Sequence, residues 1–146
     1  MIYLIDSSVC LRTIELTDPL RTTTLDHLSR AVNQGDTLIV VAQVVAECWG
    51  VLTRPQANNG FGLNPMEAKV EVDKLLAFFQ PESDPHSLIF KLSSFAELHQ
   101  VSGRQIHDAR MALTCELLGL DGIVTYNKPD FARYSQIRAL EPAELL

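Results

Sequence analysis

Three short apolar runs, with a weaker fourth, limit what this chain can fold into more than any other feature. Residues 2–5 (IYLI) run into Asp6-Ser7-Ser8, residues 37–41 are TLIVV, residues 122–125 are GIVT, and residues 137–140 (IRAL) form the fourth. Each is too short for a helix of its own. None shows the apolar–polar alternation of a half-exposed antiparallel strand, so strands buried on both faces fit best. Helical patterns lie between them. Leu25, Leu28 and Val32 recur at helical spacing over residues 23–32, with Gly35 as a stop, and Val44, Cys48, Val51 and Leu52 make a stripe over residues 43–52 that Pro55 ends. Residues 65–79 carry Met66, Val70, Leu75, Phe78 and Phe79 behind an Asn64 N-cap and a Pro65 first position. Residues 107–118 carry Met111, Ala112, Cys115 and Leu118 and close at Gly119. Strands alternating with helices of this length predict an α/β fold whose central, largely parallel sheet has helices on both faces. Residues 56–63, with Asn58-Asn59-Gly60 and Gly62, read as the most mobile loop.

With 146 residues, 47% of them hydrophobic, and no repeat or linker, the expectation is one compact domain over residues 1–146, and disorder is excluded. No apolar run approaches the roughly 18–20 residues of a membrane span. No Lys or Arg precedes the first apolar run and Asp6 interrupts it, so a secretory leader is not expected and a cytoplasmic location is. Cys10, Cys48 and Cys115 have no paired spacing and read as small buried hydrophobes. A formal net charge of −6 at first speaks against nucleic acid as a partner. A metal-dependent nuclease, however, gathers carboxylates at its site whatever its surface carries.

Several oxygen-bearing residues stand where ligands would bind. Asp6 ends the first strand, and ligands of open parallel sheets bind at the strands' carboxyl ends; capping the next helix is its plainer use. Glu47 flanks the buried stripe of its helix, where a carboxylate is costly unless bonded, or it reaches solvent and pairs with Arg54. Asp108 lies three, four and seven residues before Met111, Ala112 and Cys115, on the core side, or it complements the helix dipole. Thr125, Asn127 and Asp130 follow the third strand, as site residues or as a plain turn. An oxygen-only set suits Mg²⁺ or Mn²⁺ rather than zinc, and the four histidines lack zinc-ligand spacing. Clustered aspartates with a Thr and a Lys also suggest a phosphorylation-dependent receiver module. Against that, serines follow Asp6, Ala42-Gln43 follow the second strand, and Glu47 has no use there.

Taken in order, YLIDSSV, QVVAECWGVLTRP, SGRQIHDARMA and GIVTYNKPDFARY resemble the PIN-domain family, in particular the VapC-type toxin ribonucleases of toxin–antitoxin pairs. The resemblance runs from residue 2 to about residue 142. It implies a PIN-like fold and metal ligands at Asp6, Glu47 and Asp108, the last in an Asp-Ala pair. Many members carry Asp two residues past the Thr; here Asn127 stands there and Asp130 follows three residues on, as completing catalytic or metal residues. That departure leaves one ion or two as alternatives. Ser8 and Thr125 match positions that orient the site. The implied chemistry is endoribonucleolytic hydrolysis of RNA with Mg²⁺ or Mn²⁺, and the implied partners are RNA, a second copy of the chain and an antitoxin protein. Arg54, Arg104, Arg110 and Lys128 are candidates for meeting RNA phosphates. The helix over residues 65–79 and the Trp49 face are candidate interfaces, although Trp49 and Phe79 read first as core. Two rivals share the fold: an RNA-processing nuclease without a toxin role, and an inert binding module, against which the intact Asp6, Glu47 and Asp108 speak.

Overall fold

The computed structural model describes residues 1–145. Among them run β1 (Ile2–Ile5), α1 (Ser7–Ile14), α2 (Arg21–Asn33), β2 (Thr37–Val40), α3 (Ala42–Thr53), α4 (Pro65–Phe78), β3 (Gln80–Pro81), α5 (Leu88–Leu98), α6 (Ile106–Leu117), β4 (Gly122–Val124) and β5 (Ala139–Leu140). The strands form one sheet in the order β3-β2-β1-β4-β5, and every pair is parallel. Tyr3, Leu4 and Ile5 are buried one after another, and successive strand residues face opposite sides, so both faces of β1 are covered. Leu38–Val40 and all of β4 repeat the pattern. Each such Leu, Ile or Val taken fully from water contributes about 1.5–3 kcal/mol, which is what holds unalternating runs inside.

The fourth run shrinks to Ala139–Leu140, because Ile137 N–H bonds back to Tyr134 O in a turn. The fifth strand, β3, was not expected. Its Pro81 lacks a ladder donor and is tolerated because β3 lies at the sheet edge. The unexpected α5 does carry Leu88, Leu92 and Phe95 at helical spacing, and Leu88 and Phe95 are buried. Asn64 caps α4 as anticipated, with a reciprocal box to Glu67. Its buried stripe is a different one, however: Ala68, Val72 and Leu75 face inward while Met66, Val70 and Phe78 are exposed. Val32 in α2 is likewise exposed, with Ala31 buried in its stead, and Trp49 sits at the surface while Phe79 is core. The three cysteines are free and buried.

Residues 56–63 are not a loose loop. Phe61, Gly62 and Leu63 donate backbone N–H bonds to Val51, Arg54 and Leu52 carbonyls at 3.0, 2.9 and 2.9 Å, folding the segment back on α3. Among the described residues no helix is long and apolar enough to cross a membrane.

Candidate active site

The chain leaves β1 toward β2 on one side and returns as β4 on the other, which opens a crevice at the carboxyl ends of β1 and β4. Asp6 stands there. Its N–H extends the ladder to Val124 O at 3.0 Å, and its carboxylate then caps α1 by accepting the Ser7 N–H on Oδ1 at 2.8 Å. Its Oδ2 accepts the hydroxyls of Ser8 at 2.6 Å and Thr125 at 2.7 Å. Capping and site-building thus fall on one residue, so the two readings of Asp6 are not exclusive. Each hydroxyl has one proton and gives it to Asp6, while its oxygen accepts from the strand end beyond. Ser8 Oγ accepts Tyr126 N–H at 3.1 Å and Thr125 Oγ1 accepts Asn127 N–H at 2.9 Å. The first carboxylate is therefore held rigidly across the crevice.

Glu47 projects from the middle of α3 and is half-buried. Its Oε2 accepts from Ser7 Oγ at 2.7 Å and its Oε1 from Gln43 Nε2 at 2.8 Å. Ser7 Oγ also lies 3.5 Å from Asp6 Oδ1; its single proton belongs to the shorter contact, so Ser7 bridges two acids while bonding one. Arg54 does not pair with Glu47 and instead donates to Asn59 O at 3.4 Å. Ser7 and Gln43 were not anticipated as site residues. For Gln43 the signal was available, since it precedes Glu47 by one helical turn, a spacing at which side chains meet.

Asp108, in the first turn of α6, is half-buried, and no donor among the described residues bonds its carboxylate. Burial, then the negative charges of Asp130, Asp6 and Glu47, push its pKa from 3.8 up to about 6, with His107 opposing. Asp108 therefore stands within electrostatic reach of the other three acids. Asp130 is exposed in the turn Lys128–Phe131, and Asn127 is exposed just before it. Among the described residues, no three His, Cys, Asp or Glu side chains are drawn together into a ready-made metal-ligand set.

Of the candidate cations, Lys128 pairs with Glu144 at 2.8 Å and Arg110 with Asp84 at 2.6 Å, whereas Arg104 is exposed on the Gly103–Gln105 turn that leads into α6. Partly exposed pairs of this kind are worth about 0–1 kcal/mol, so an incoming phosphate can displace them. A separate cavity of about 680 Å³ lies between the end of α1, the folded segment and α4, lined by Ile14, Phe61, Leu75 and Phe78 among others, and includes none of the candidate residues.

No protein-family model and no curated protein matches the chain. Solved structures do. The VapBC-1 structure from nontypeable Haemophilus influenzae aligns with TM-score 0.72 at 15% identity, covering 99% of this chain and 100% of that one. VapBC2 from Rickettsia felis, bound to a DNA fragment from its promoter, aligns with TM-score 0.70 at 17% identity over 97% and 98%. Mycobacterium tuberculosis VapC20, a sarcin-ricin loop cleaving toxin, aligns with TM-score 0.62 at 13% identity over 93% and 95%. Identities this low speak to the fold, and with the parallel five-stranded order and its six helices they establish that the chain has the fold of a VapC-like PIN domain.

Proposed function

We propose that this chain is a Mg²⁺- or Mn²⁺-dependent endoribonuclease and the toxin of a toxin–antitoxin pair. The observation that carries the reading is Asp108, a half-buried carboxylate without a hydrogen-bond donor, which burial first and then the negative charges of Asp130, Asp6 and Glu47 push up to about 6. Such a set is relieved by a cation. Its donors are all oxygen, which matches a hard ion, and Mg²⁺ keeps several of its own waters, so a few carboxylates suffice without a closed cage. In this reading Asp6, Glu47 and Asp108 hold the ion and Asp130 completes the shell, with Asn127 beside it. When bound, the ion lowers the pKa of water and screens the phosphate and the leaving oxygen.

The chain's own residues supply order. Ser8 and Thr125 lock Asp6, Ser7 and Gln43 lock Glu47, and Asp108 keeps both oxygens free to turn toward a cation. Arg104, with Lys128, Arg110 and Arg54 once their present partners are exchanged, would meet RNA phosphates. The likeness to VapBC structures supports an antitoxin partner, and the exposed Met66, Val70 and Phe78 support a homodimer. A single compact cytoplasmic domain is part of the same reading.

The test is cleavage of RNA by the purified chain with Mn²⁺ or Mg²⁺. Asp6→Asn and Asp108→Asn are expected to abolish cleavage while leaving the far-UV circular dichroism unchanged; retained cleavage in both removes the assignment. Growth arrest on expression, relieved by a neighbouring antitoxin, separates the toxin from an RNA-processing enzyme of the same fold.

A further inference from the structure

We propose that Gln43 is a positioning residue of the acidic site: a two-donor clamp that ties the Glu47 carboxylate to the opening turn of α6 and thereby sets where Glu47 and Asp108 stand relative to each other. The proposal rests on the metal-nuclease reading above. Gln43 is the second residue of α3 and only 5% exposed, on a face otherwise made by Val44, Cys48 and Leu52. A buried amide is unfavourable unless its groups are bonded. Its Nε2 lies 2.8 Å from Glu47 Oε1 and 2.8 Å from the His107 carbonyl oxygen.

Both partners are acceptors with no proton to give, so the orientation of the amide is imposed. Turned over, its Oε1 would confront a carboxylate and a carbonyl. In the imposed orientation Oε1 is buried and meets no donor from the described residues, so satisfying these two acceptors prevails over satisfying the glutamine's own oxygen. His107 immediately precedes Asp108, and among the described residues no other hydrogen bond joins α3 to α6. Since Ser7 holds Glu47 Oε2 from α1, the Glu47 carboxylate is fixed at both oxygens and three helices are registered around it. Methionine at this position would fill the same volume with no donor. Asparagine would keep the amide but, one methylene shorter, would not reach both acceptors. Glutamate would set another negative charge against Glu47.

The test is calorimetric titration of Mn²⁺ into the full chain, alongside thermal unfolding without metal, for the parent, Gln43→Met and Gln43→Asn. Groups that orient ligands typically change metal affinity about 10–100-fold. Both variants are therefore expected to bind Mn²⁺ at least tenfold more weakly than the parent while unfolding cooperatively. A residue that merely supports the fold would lower Tm and leave the affinity of the folded protein unchanged, and unchanged affinity in both folded variants overturns the proposal while sparing the metal reading. A parent that binds no Mn²⁺ overturns the metal reading and this proposal together. Should neither variant fold, the Gln43 side-chain amide resonances of the parent decide: a saturable shift on adding Mg²⁺ supports the clamp, and indifference to Mg²⁺ overturns it.

Discussion

Thr125 is fully buried, and its one hydroxyl serves two charged or polar groups at once, donating to Asp6 Oδ2 and accepting Asn127 N–H. Thr125→Val keeps the shape and removes both bonds, leaving buried groups unpaired. A loss of about 1–3 kcal/mol in urea unfolding is expected, with Thr125→Ser, which retains both bonds, losing less; equal losses would mean that the methyl group and not the hydroxyl matters. Asp108 behaves in the opposite sense. Its folded-state pKa of about 6 lies above the 3.8 of an unperturbed carboxyl, so the native state binds the proton more tightly than the unfolded chain does. Below about pH 4 both states are protonated and this group is neutral to stability; between pH 4 and 6 stability falls, and above 6 the full penalty of an ionised Asp108 is present. Asn cannot ionise. Metal-free Asp108→Asn is therefore expected to melt above the parent at pH 7, with the gap closing toward pH 4; a variant that melts below the parent at pH 7 would contradict this electrostatic account. Asp108, one of the four acids proposed to hold the cation, is thus a group whose ionisation opposes folding, a pattern typical of groups placed for binding rather than stability.

At the scale of elements, the segment after α3 shows how backbone bonds override composition. Asn58-Asn59-Gly60 and Gly62 suggest mobility, yet three N–H bonds return the segment to α3, and a Cβ at Gly60 would fall on the backbone carbonyl of Arg54. Gly60→Ala forces that backbone apart and is expected to lower stability by about 1–3 kcal/mol in thermal melting, while leaving the distant acidic site intact; an unaltered Tm would show that the segment gives way freely. The other departures have separate causes. Local spacing identifies α4, but its phase is set by α3, against which small Ala68 packs, so the larger Met66 and Val70 are left outside. The helical spacing of Leu88, Leu92 and Phe95 in α5 is blurred by exposed Ile89 and Phe90, and β3 carries a proline that only an edge tolerates.

For the molecule as a whole, the exposed apolar side chains of α4 predict association. Sedimentation is expected to give a dimer, and Val70→Glu, placing charge on the outer face of α4, is expected to shift it toward monomer without loss of secondary structure; a monomeric parent would remove the homodimer from the proposed function. The net charge of −6 falls to −2 without Asp6, Glu47, Asp108 and Asp130, so the acidity that first spoke against nucleic acid is largely accounted for by four residues whose position matters more than their number. The amino-acid order was enough to dictate a parallel sheet, because apolar runs without alternation need cover on both faces, and enough to put Asp6 at a strand end and Asp108 on an inward helix face. It did not contain the pairings. Ser7 with Glu47, Gln43 with His107 and Thr125 with Asp6 lie 40, 64 and 119 residues apart, and the paired states of Arg110 and Lys128 likewise join distant segments. Periodicity reports which face of an element is buried, whereas a hydrogen-bond partner across the sheet is chosen by strand order and helix register, which exist only once the chain has folded.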